Sequence, residues 1–165
     1  YSIYALAAEK GTPVYLHTGP SKFPGTLTLP EYTSPDFLDD AILRHPETIF
    51  ILGHLGYDFI NKSIGELETC LELAKSYPNV YLEPSAMGSS GADPTGENYR
   101  HALKRIQEEG LIDRVVYGSD GPQYPGFVSN YLERTIDAME ANDYSYKEAT
   151  AVLAGNFAGL FGVAP

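Results

Sequence analysis

A short apolar run that ends in a polar or ionisable residue occurs four times along this chain. The runs recur every 31 to 35 residues, beginning at Val14, Ile49, Val80 and Val115. A helix-like stretch fills each gap, which is typical of successive βα units in a parallel sheet. In such sheets the functional side chains gather at the carboxyl ends of the strands. These ends carry His17, His54, Glu83 and Asp120.

The composition is that of an ordinary globular protein, and its net charge argues against nucleic acids and membranes as partners. The 165 residues are 43% hydrophobic and 20% charged, enough for one domain with a sizeable core. Eleven basic residues against 22 acidic ones give a formal net charge of −11, which repels phosphate backbones and anionic lipid headgroups. We therefore expect a small-molecule substrate and neither a nucleic acid nor a membrane as partner.

The single cysteine and the absence of long apolar runs bear on location. Cys70 has no second cysteine to pair with, and it falls in a helical apolar pattern, so we expect a buried structural thiol. No run approaches the roughly 20 apolar residues that cross a bilayer, and no signal-peptide pattern is present. We expect a cytoplasmic protein, although the chain begins at Tyr1 and not at a methionine.

Helix signals fill the gaps between the runs. Apolar periodicity and capping residues predict helices over 2–9, 35–44, 60–75, 97–109, 129–140 and 146–154. Ser34 is the expected N-cap of the second of these, and Ser145 with Glu148 forms a capping box for the last. Long loops, 18–34, 84–96 and 121–127, follow three of the four strands, as in folds whose active site lies on the strand-end face. The second strand is the expected exception, with only 56–58 before its helix.

Four parallel strands cannot close a barrel, because about eight are needed before side chains fill the interior. Three arrangements remain: half of a longer (β/α)8 chain, two associated copies, or a small open α/β sheet. The helical start of the chain favours the first. We therefore predict an α/β fold that is the C-terminal half, about four βα units, of a TIM-type (β/α)8 barrel.

The strand-end histidines are the strongest functional signal. His17 and His54, together with an acid at a third strand end, favour a metal or acid–base site over structural histidines, because imidazole and carboxylate bind zinc or a similar ion. Asp120 follows Val-Val-Tyr in a Gly-Ser-Asp-Gly-Pro turn, and we predict a buried, metal-facing carboxylate in preference to an ordinary acidic turn.

The remaining polar residues carry weaker signals. Glu83 can point into the barrel or into the helix layer, since strand side chains alternate, and Ser85 shares its face. We assign both to the substrate pocket. His45 and His101 lie at a helix end and on a helix face, so we expect both to be solvated.

Taken in order, these motifs resemble the amidohydrolase-related family within the amidohydrolase superfamily of metal-dependent hydrolases. The motifs are Val14-Tyr-Leu-His-Thr-Gly19, Leu52-Gly-His-Leu-Gly56, Asn79-Val-Tyr-Leu-Glu83, Val116-Tyr-Gly-Ser-Asp-Gly-Pro122 and Gly155-Asn-Phe-Ala-Gly-Leu-Phe-Gly162. The resemblance covers essentially the whole chain and implies that its strands are the fifth to the eighth of a barrel. It implies a structural role for the Gly-Asn signature, so Asn156 is not counted as catalytic.

The resemblance also implies roles and a cofactor. His17 would be a metal ligand, and His54 would bind a second metal or act in catalysis. Asp120 would touch the metal and shuttle protons. The implied cofactor is a divalent ion, zinc first, with manganese or iron as alternatives.

One departure from the family pattern limits this chain by itself. The family takes two further ligands from a His-x-His motif on the first strand, and that motif does not occur in this sequence. His17 and Asp120 give two ligands where a catalytic zinc site takes three from protein. We therefore expect residues 1–165 to form a single domain that is a fragment, binding metal weakly and inactive alone.

Three functions follow as hypotheses. The leading one is a metal-dependent hydrolase of a small lactone, amide or ester that uses a metal-activated water. The alternative within the family is a non-oxidative decarboxylase or hydratase of an aromatic or unsaturated carboxylic acid. The third is a non-catalytic half-barrel whose exposed strand edges bind a second copy or the missing N-terminal half.

Overall fold

Three parallel strands organise the first part of the chain. A computed structural model describes residues 2–21 and 30–164, and the chain divides into two compact units, residues 1–83 and 84–165. The strands are β1 (Val14–His17), β2 (Phe50–Gly53) and β3 (Val80–Glu83), in the order β1-β2-β3. Their register aligns His17, Gly53 and Glu83 at the carboxyl end. The first three predicted strands are confirmed.

The two faces of this sheet differ in chemistry because strand side chains alternate. One face is apolar, with Phe50, Leu52, Val80 and Leu82 fully buried. Each such side chain contributes about 1.5–3 kcal/mol through burial. The Tyr4 ring packs edge-on against Phe50, with 5.2 Å between ring centroids. By alternation, the opposite face carries Tyr15, His17, Ile51, Gly53, Tyr81 and Glu83.

The helices of the first unit are α1 (Ser2–Lys10), α2 (Asp39–Arg44) and α3 (Leu67–Ser76), with short 3₁₀ turns at Pro30–Tyr32 and Pro35–Leu38. Ser34 caps the second 3₁₀ turn as predicted, since its hydroxyl accepts from Asp36 N at 3.4 Å. The loop predicted over 18–34 includes residues 22–29, which lie outside the described residues.

The predicted helix over 60–75 is wrong in its first half, since α3 begins only at Leu67. The Asp58 carboxylate accepts from the amides of Ile60 and Asn61 at 2.8 and 2.9 Å, giving the backbone a local alternative to a helix. Lys62 and Gly65 then take positive φ. The loop after β2 therefore runs from 54 to 66, so the expected short connection is wrong too.

The second unit is helical in its described residues. Its elements are α4 (Glu97–Glu108), a 3₁₀ turn (Ile112–Arg114), α5 (Phe127–Glu140), α6 (Tyr146–Thr150), a π-helical turn (Ala151–Gly155) and α7 (Asn156–Phe161). The capping box is confirmed: Glu148 N donates to Ser145 Oγ at 3.3 Å, and Ser145 N donates to Glu148 Oε2 at 2.8 Å.

The predicted fourth strand does not form. Val115 makes a single bridge, and residues 116–120 have no regular structure. A strand needs a neighbouring ladder, and no strand occurs among the described residues of this unit. The apolar pattern instead reflects burial, since Val115 and Val116 are buried. Asn156 Nδ2 donates to the carbonyls of Ile112 and Val115 at 2.7 Å, which supports its structural role.

No helix in the described ranges 2–21 and 30–164 combines the length and the apolar character needed to cross a bilayer. His101 is exposed on α4, as expected. His45 is half-buried, and its ring lies edge-on to Tyr4 with 5.5 Å between centroids. His45 is thus partly packed where a solvated side chain was expected.

Cys70 is fully buried in α3, as predicted, and burial raises the pKa of its thiol to about 12. We expect no alkylation of folded protein by iodoacetamide at pH 8 and full labelling after unfolding, because only the thiolate reacts. The raised pKa favours the protonated folded form, so its contribution to stability is complete below pH 9 and is lost as the pH rises towards 12. Mass spectrometry and alkaline unfolding curves test this, with Cys70→Ala as control. Rapid labelling of folded protein would contradict it.

Candidate active site

Two histidines and a glutamate lie at the carboxyl ends of the strands of the first unit. His17 closes β1, Glu83 closes β3, and His54 follows the last residue of β2. The His17 and His54 rings lie 4.5 Å apart between centroids, at an interplanar angle of 61°. The structure therefore brings together the two histidines that the sequence singled out.

His17 is held by the backbone just beyond its own strand. Its Nε2 lies 2.9 Å from the carbonyl oxygen of Gly19. Since a carbonyl can only accept, Nε2 carries the proton and the neutral ring has its lone pair on Nδ1. Histidines that ligate metals usually donate their other N–H to such a carbonyl or a carboxylate. The His17 side chain is thus arranged to bind a metal ion through the lone pair of Nδ1.

His54 sits in a backbone turn that few side-chain-bearing residues adopt. The φ angles of His54, Leu55 and Gly56 are 66°, 53° and 68°, all in the left-handed region. For a residue other than glycine this conformation costs roughly 1–2 kcal/mol. Such strain persists where surrounding contacts fix the backbone, and it is common at functional sites. The His54 side chain is only 4% exposed, with the Phe59 ring edge-on at 5.4 Å between centroids.

Thr18 contacts both ends of this turn. Its Oγ1 donates to the carbonyl of Gly53 at 2.7 Å and accepts from the amide of Gly56 at 2.8 Å. The backbone amide of Thr18 also donates to the Gly53 carbonyl, at 3.0 Å. The residue that follows His17 therefore fastens the turn that carries His54.

Glu83 lies on the same face of the sheet as Tyr15, opposite the apolar face that packs against Tyr4 of α1. Of the two orientations that the sequence left open, Glu83 therefore has the one that points away from the helix layer. The Tyr15 hydroxyl donates to Glu83 Oε2 at 2.9 Å, spanning the whole sheet from β1 to β3. It passes over Gly53 of the middle strand, where a Cβ would lie 2.1 Å from the Tyr15 oxygen. The Tyr15 ring is also edge-on to His54, at 6.3 Å between centroids. Glycine at position 53 thus makes room for the contact.

These residues fit part of a metal site. Imidazole Nδ1 of His17 is a suitable donor for zinc or a similar divalent ion, and His54 lies beside it. A catalytic zinc normally takes three protein ligands. Within residues 2–21 and 30–164, no three His, Cys, Asp or Glu side chains come together to hold a metal ion. The described residues therefore supply an incomplete ligand set.

Ser85 and Asp120 belong to the second unit. Ser85 is fully buried, at the start of the loop that leads to α4. Asp120 is exposed, where the sequence predicted a buried carboxylate. It lies in a turn, with φ 59°, and its carbonyl accepts from the side-chain amide of Gln123. Burial in this segment ends at Val116, and the turn that follows carries Asp120 to the surface of its unit.

Sequence reasoning missed three residues that shape the site. Tyr15 stands two positions before His17, so strand alternation alone would have placed it on the same face. Gly53 precedes His54 directly, but nothing in the sequence shows that Tyr15 crosses it. Thr18 gives no sequence signal, because its partners lie 35 and 38 residues away, Gly53 at the end of β2 and Gly56 in the loop that follows.

Solved structures with the same fold are TIM-barrel proteins. An uncharacterized TIM-barrel protein from Bordetella bronchiseptica is 22% identical, with a TM-score of 0.67, over 98% of this chain and 50% of its own. A probable 2-pyrone-4,6-dicarboxylic acid hydrolase from Acinetobacter baumannii is 18% identical, with a TM-score of 0.65, over 98% and 56%. A 5-carboxyvanillate decarboxylase from Sphingomonas paucimobilis is 16% identical, with a TM-score of 0.58, over 99% and 53%.

These likenesses establish the fold. The chain spans about half the length of the three structures, and it is the C-terminal half of a TIM-type (β/α)8 barrel, as predicted. Among proteins of curated function, none matches the chain in sequence.

The family is shown by the sequence as a whole. The pattern that defines the amidohydrolase family matches residues 1–163, and this family generally binds a divalent metal ion. The match confirms the resemblance inferred from the strand-end motifs. The chain belongs to the amidohydrolase family.

Proposed function

We propose that the protein containing this chain is a metal-dependent hydrolase of a small lactone, amide or ester. The observation that carries the proposal is the His17–His54 pair, with rings 4.5 Å apart and His17 Nε2 tied to the Gly19 carbonyl. Membership of the amidohydrolase family supports it. The activity belongs to the whole protein, of which these residues supply part of the ligand set.

The cofactor we propose is a divalent ion, zinc in the first place, with manganese or iron as alternatives. His17 would hold it through Nδ1. When bound, such an ion lowers the pKa of a coordinated water and makes a hydroxide nucleophile available near neutral pH.

The chain's own residues would bind and orient the substrate and move its protons. The buried His54 imidazole would polarise or orient the reacting carbonyl, with its ring in contact with those of His17 and Phe59. Asp120, by its matching motif, would ligate the ion and accept the proton of the attacking water. Glu83, fixed by the Tyr15 hydroxyl, would line the substrate pocket, and Ser85 is the second residue that we assign there.

A decarboxylase is the second candidate. It is favoured by the likeness in fold to a protein that is a 5-carboxyvanillate decarboxylase. The two reactions differ in their products, because decarboxylation releases carbon dioxide and hydrolysis of a lactone, amide or ester does not.

The test uses the whole protein with His17→Asn and His54→Asn, and with His101→Asn as a matched control on the exposed face of α4. We expect His17→Asn to lose bound metal and each site variant to lose turnover by about 100-fold or more, since outer-shell changes alone cost 10–100-fold. Elemental analysis, ester or lactone hydrolysis and carbon dioxide release are measured together.

Three results would count against the proposal. Carbon dioxide release without hydrolysis would select the decarboxylase. Unchanged metal content and turnover in His17→Asn would refute the assigned ligand. A metal-free whole protein without turnover, which associates through its strand edges, would favour the non-catalytic half-barrel.

A further inference from the structure

We propose that Thr18 is a positioning residue for His54, and that its hydroxyl closes the left-handed turn that presents the His54 imidazole to His17. The inference rests on the proposed function, because it treats His54 as a group that touches the substrate. Thr18 itself is 1% exposed, and we assign it no contact with the substrate.

The turn needs a fastening because its conformation is unfavourable. His54 and Leu55 both carry a Cβ and both adopt positive φ. Consecutive residues in this region persist only where the surroundings fix them. Downstream, the Tyr57 amide donates to the His54 carbonyl, and the Glu66 amide donates to the Gly56 carbonyl, each at 3.0 Å. At the two ends of the turn are the Gly53 carbonyl, which also accepts from the Thr18 backbone amide at 3.0 Å, and the Gly56 amide.

A single hydroxyl makes both of these contacts. A threonine oxygen can donate one hydrogen bond and accept another at the same time. Thr18 Oγ1 donates to the Gly53 carbonyl at 2.7 Å and accepts from the Gly56 amide at 2.8 Å, so the two residues between them, His54 and Leu55, are enclosed. Thr18, Leu55 and Gly56 are all buried, so solvent water does not replace the hydroxyl.

The same residue also links the two histidines. Thr18 directly follows His17 at the end of β1, so the strand that orients the His17 ring also carries the fastening of the His54 turn. Loss of the hydroxyl is therefore expected to move one ring relative to the other and to leave the rest of the sheet intact.

The test compares Thr18→Val, which has the same shape without the hydroxyl, with Thr18→Ser, which keeps it, in the whole protein. We expect valine to lower kcat by about 10- to 100-fold with KM within about threefold, because a 1 Å misplacement can cost 100-fold. Serine should stay within about threefold of the natural protein in kcat. Metal content should not change in either variant.

Thr48→Val is the matched control. Thr48 is also 1% exposed, and its Oγ1 donates to the Tyr4 carbonyl at 2.9 Å, before the amino end of β2 and away from His54. We expect it to keep the natural kcat. An equal fall in kcat for Thr48→Val and Thr18→Val would show a general loss of stability and would overturn the proposal, as would an unchanged kcat in Thr18→Val.

A readout independent of activity separates this inference from the proposed function. Amide exchange of Gly56 should accelerate by about five- to tenfold in Thr18→Val and not in Thr18→Ser, since one hydrogen bond is lost. The ¹³C chemical shifts of His54 and Leu55, which report positive φ, should likewise change in Thr18→Val and not in Thr18→Ser. Should valine fail to fold, Thr18→Ala is compared with Thr18→Ser, because the two differ only in the hydroxyl.

The outcomes then divide clearly. Faster Gly56 exchange in Thr18→Val, together with no turnover in the natural protein, would support the role of Thr18 in the turn and refute the proposed hydrolase. Unaltered exchange and shifts in Thr18→Val would refute the fastening, whatever the enzyme does.

Discussion

Replacing Asp120 with asparagine is expected to lower the turnover of the proposed hydrolase by about 100-fold or more, because the role proposed for Asp120 is to accept the proton of the attacking water and an amide cannot do so. The Asp120 side chain is exposed in its turn, so the substitution leaves no buried group unpaired within its own unit. The loss should therefore appear in kcat and not in the thermal stability. Steady-state kinetics and a melting curve measured on the same preparation check both points.

The matched control is Asp113→Asn, since Asp113 is an exposed acid at the other end of the same segment. It carries the same charge change and should keep turnover within about twofold, as surface substitutions usually do. Turnover of Asp120→Asn within a few-fold of the natural value would mean that another group takes the proton, and the assigned role would be wrong.

Gly19→Ala is expected to reduce the free energy of unfolding by about 3 kcal/mol or more, because two penalties act at one residue. Gly19 has φ +91°, and an added Cβ would lie 2.3 Å from the Tyr57 carbonyl oxygen and 2.6 Å from the Gly56 carbonyl carbon. Both are backbone atoms, so no side chain can swing aside. The Gly19 carbonyl that accepts from His17 would also move. Denaturant unfolding of the whole protein measures the loss.

Gly11→Ala isolates the first of these penalties. Gly11 has a similar positive φ, +60°, with no atom within 4 Å of an added Cβ. We expect it to lose only about 1–2 kcal/mol, the cost of the left-handed backbone for alanine. If the two variants lost equal stability, the close approach of the backbone to Gly19 would not matter, and the packing of this strand end would need another explanation.

Local signals predicted much of the secondary structure and failed where the backbone had a competing local partner. The N-cap at Ser34, with its following proline, and the capping box at Ser145 are each recognised within a few residues, so both assignments are confirmed. The helix over 60–75 was wrong at its start because the Asp58 carboxylate takes the nearby amides. The run before Asp120 was assigned to a strand because it is apolar. Irregular backbone that is buried, as at Val115 and Val116, has the same apolar character.

The sequence by itself determined the first three strands, the family and the candidate residues His17 and His54, because an apolar run followed by an ionisable residue is a local pattern. Only the tertiary structure decided how these residues are held. The Tyr15 hydroxyl reaches Glu83 across 68 positions, and Thr18 fastens the His54 turn across 35 and 38. Hydrogen bonds between such distant residues depend on strand register and on a left-handed turn, and no local pattern encodes either one.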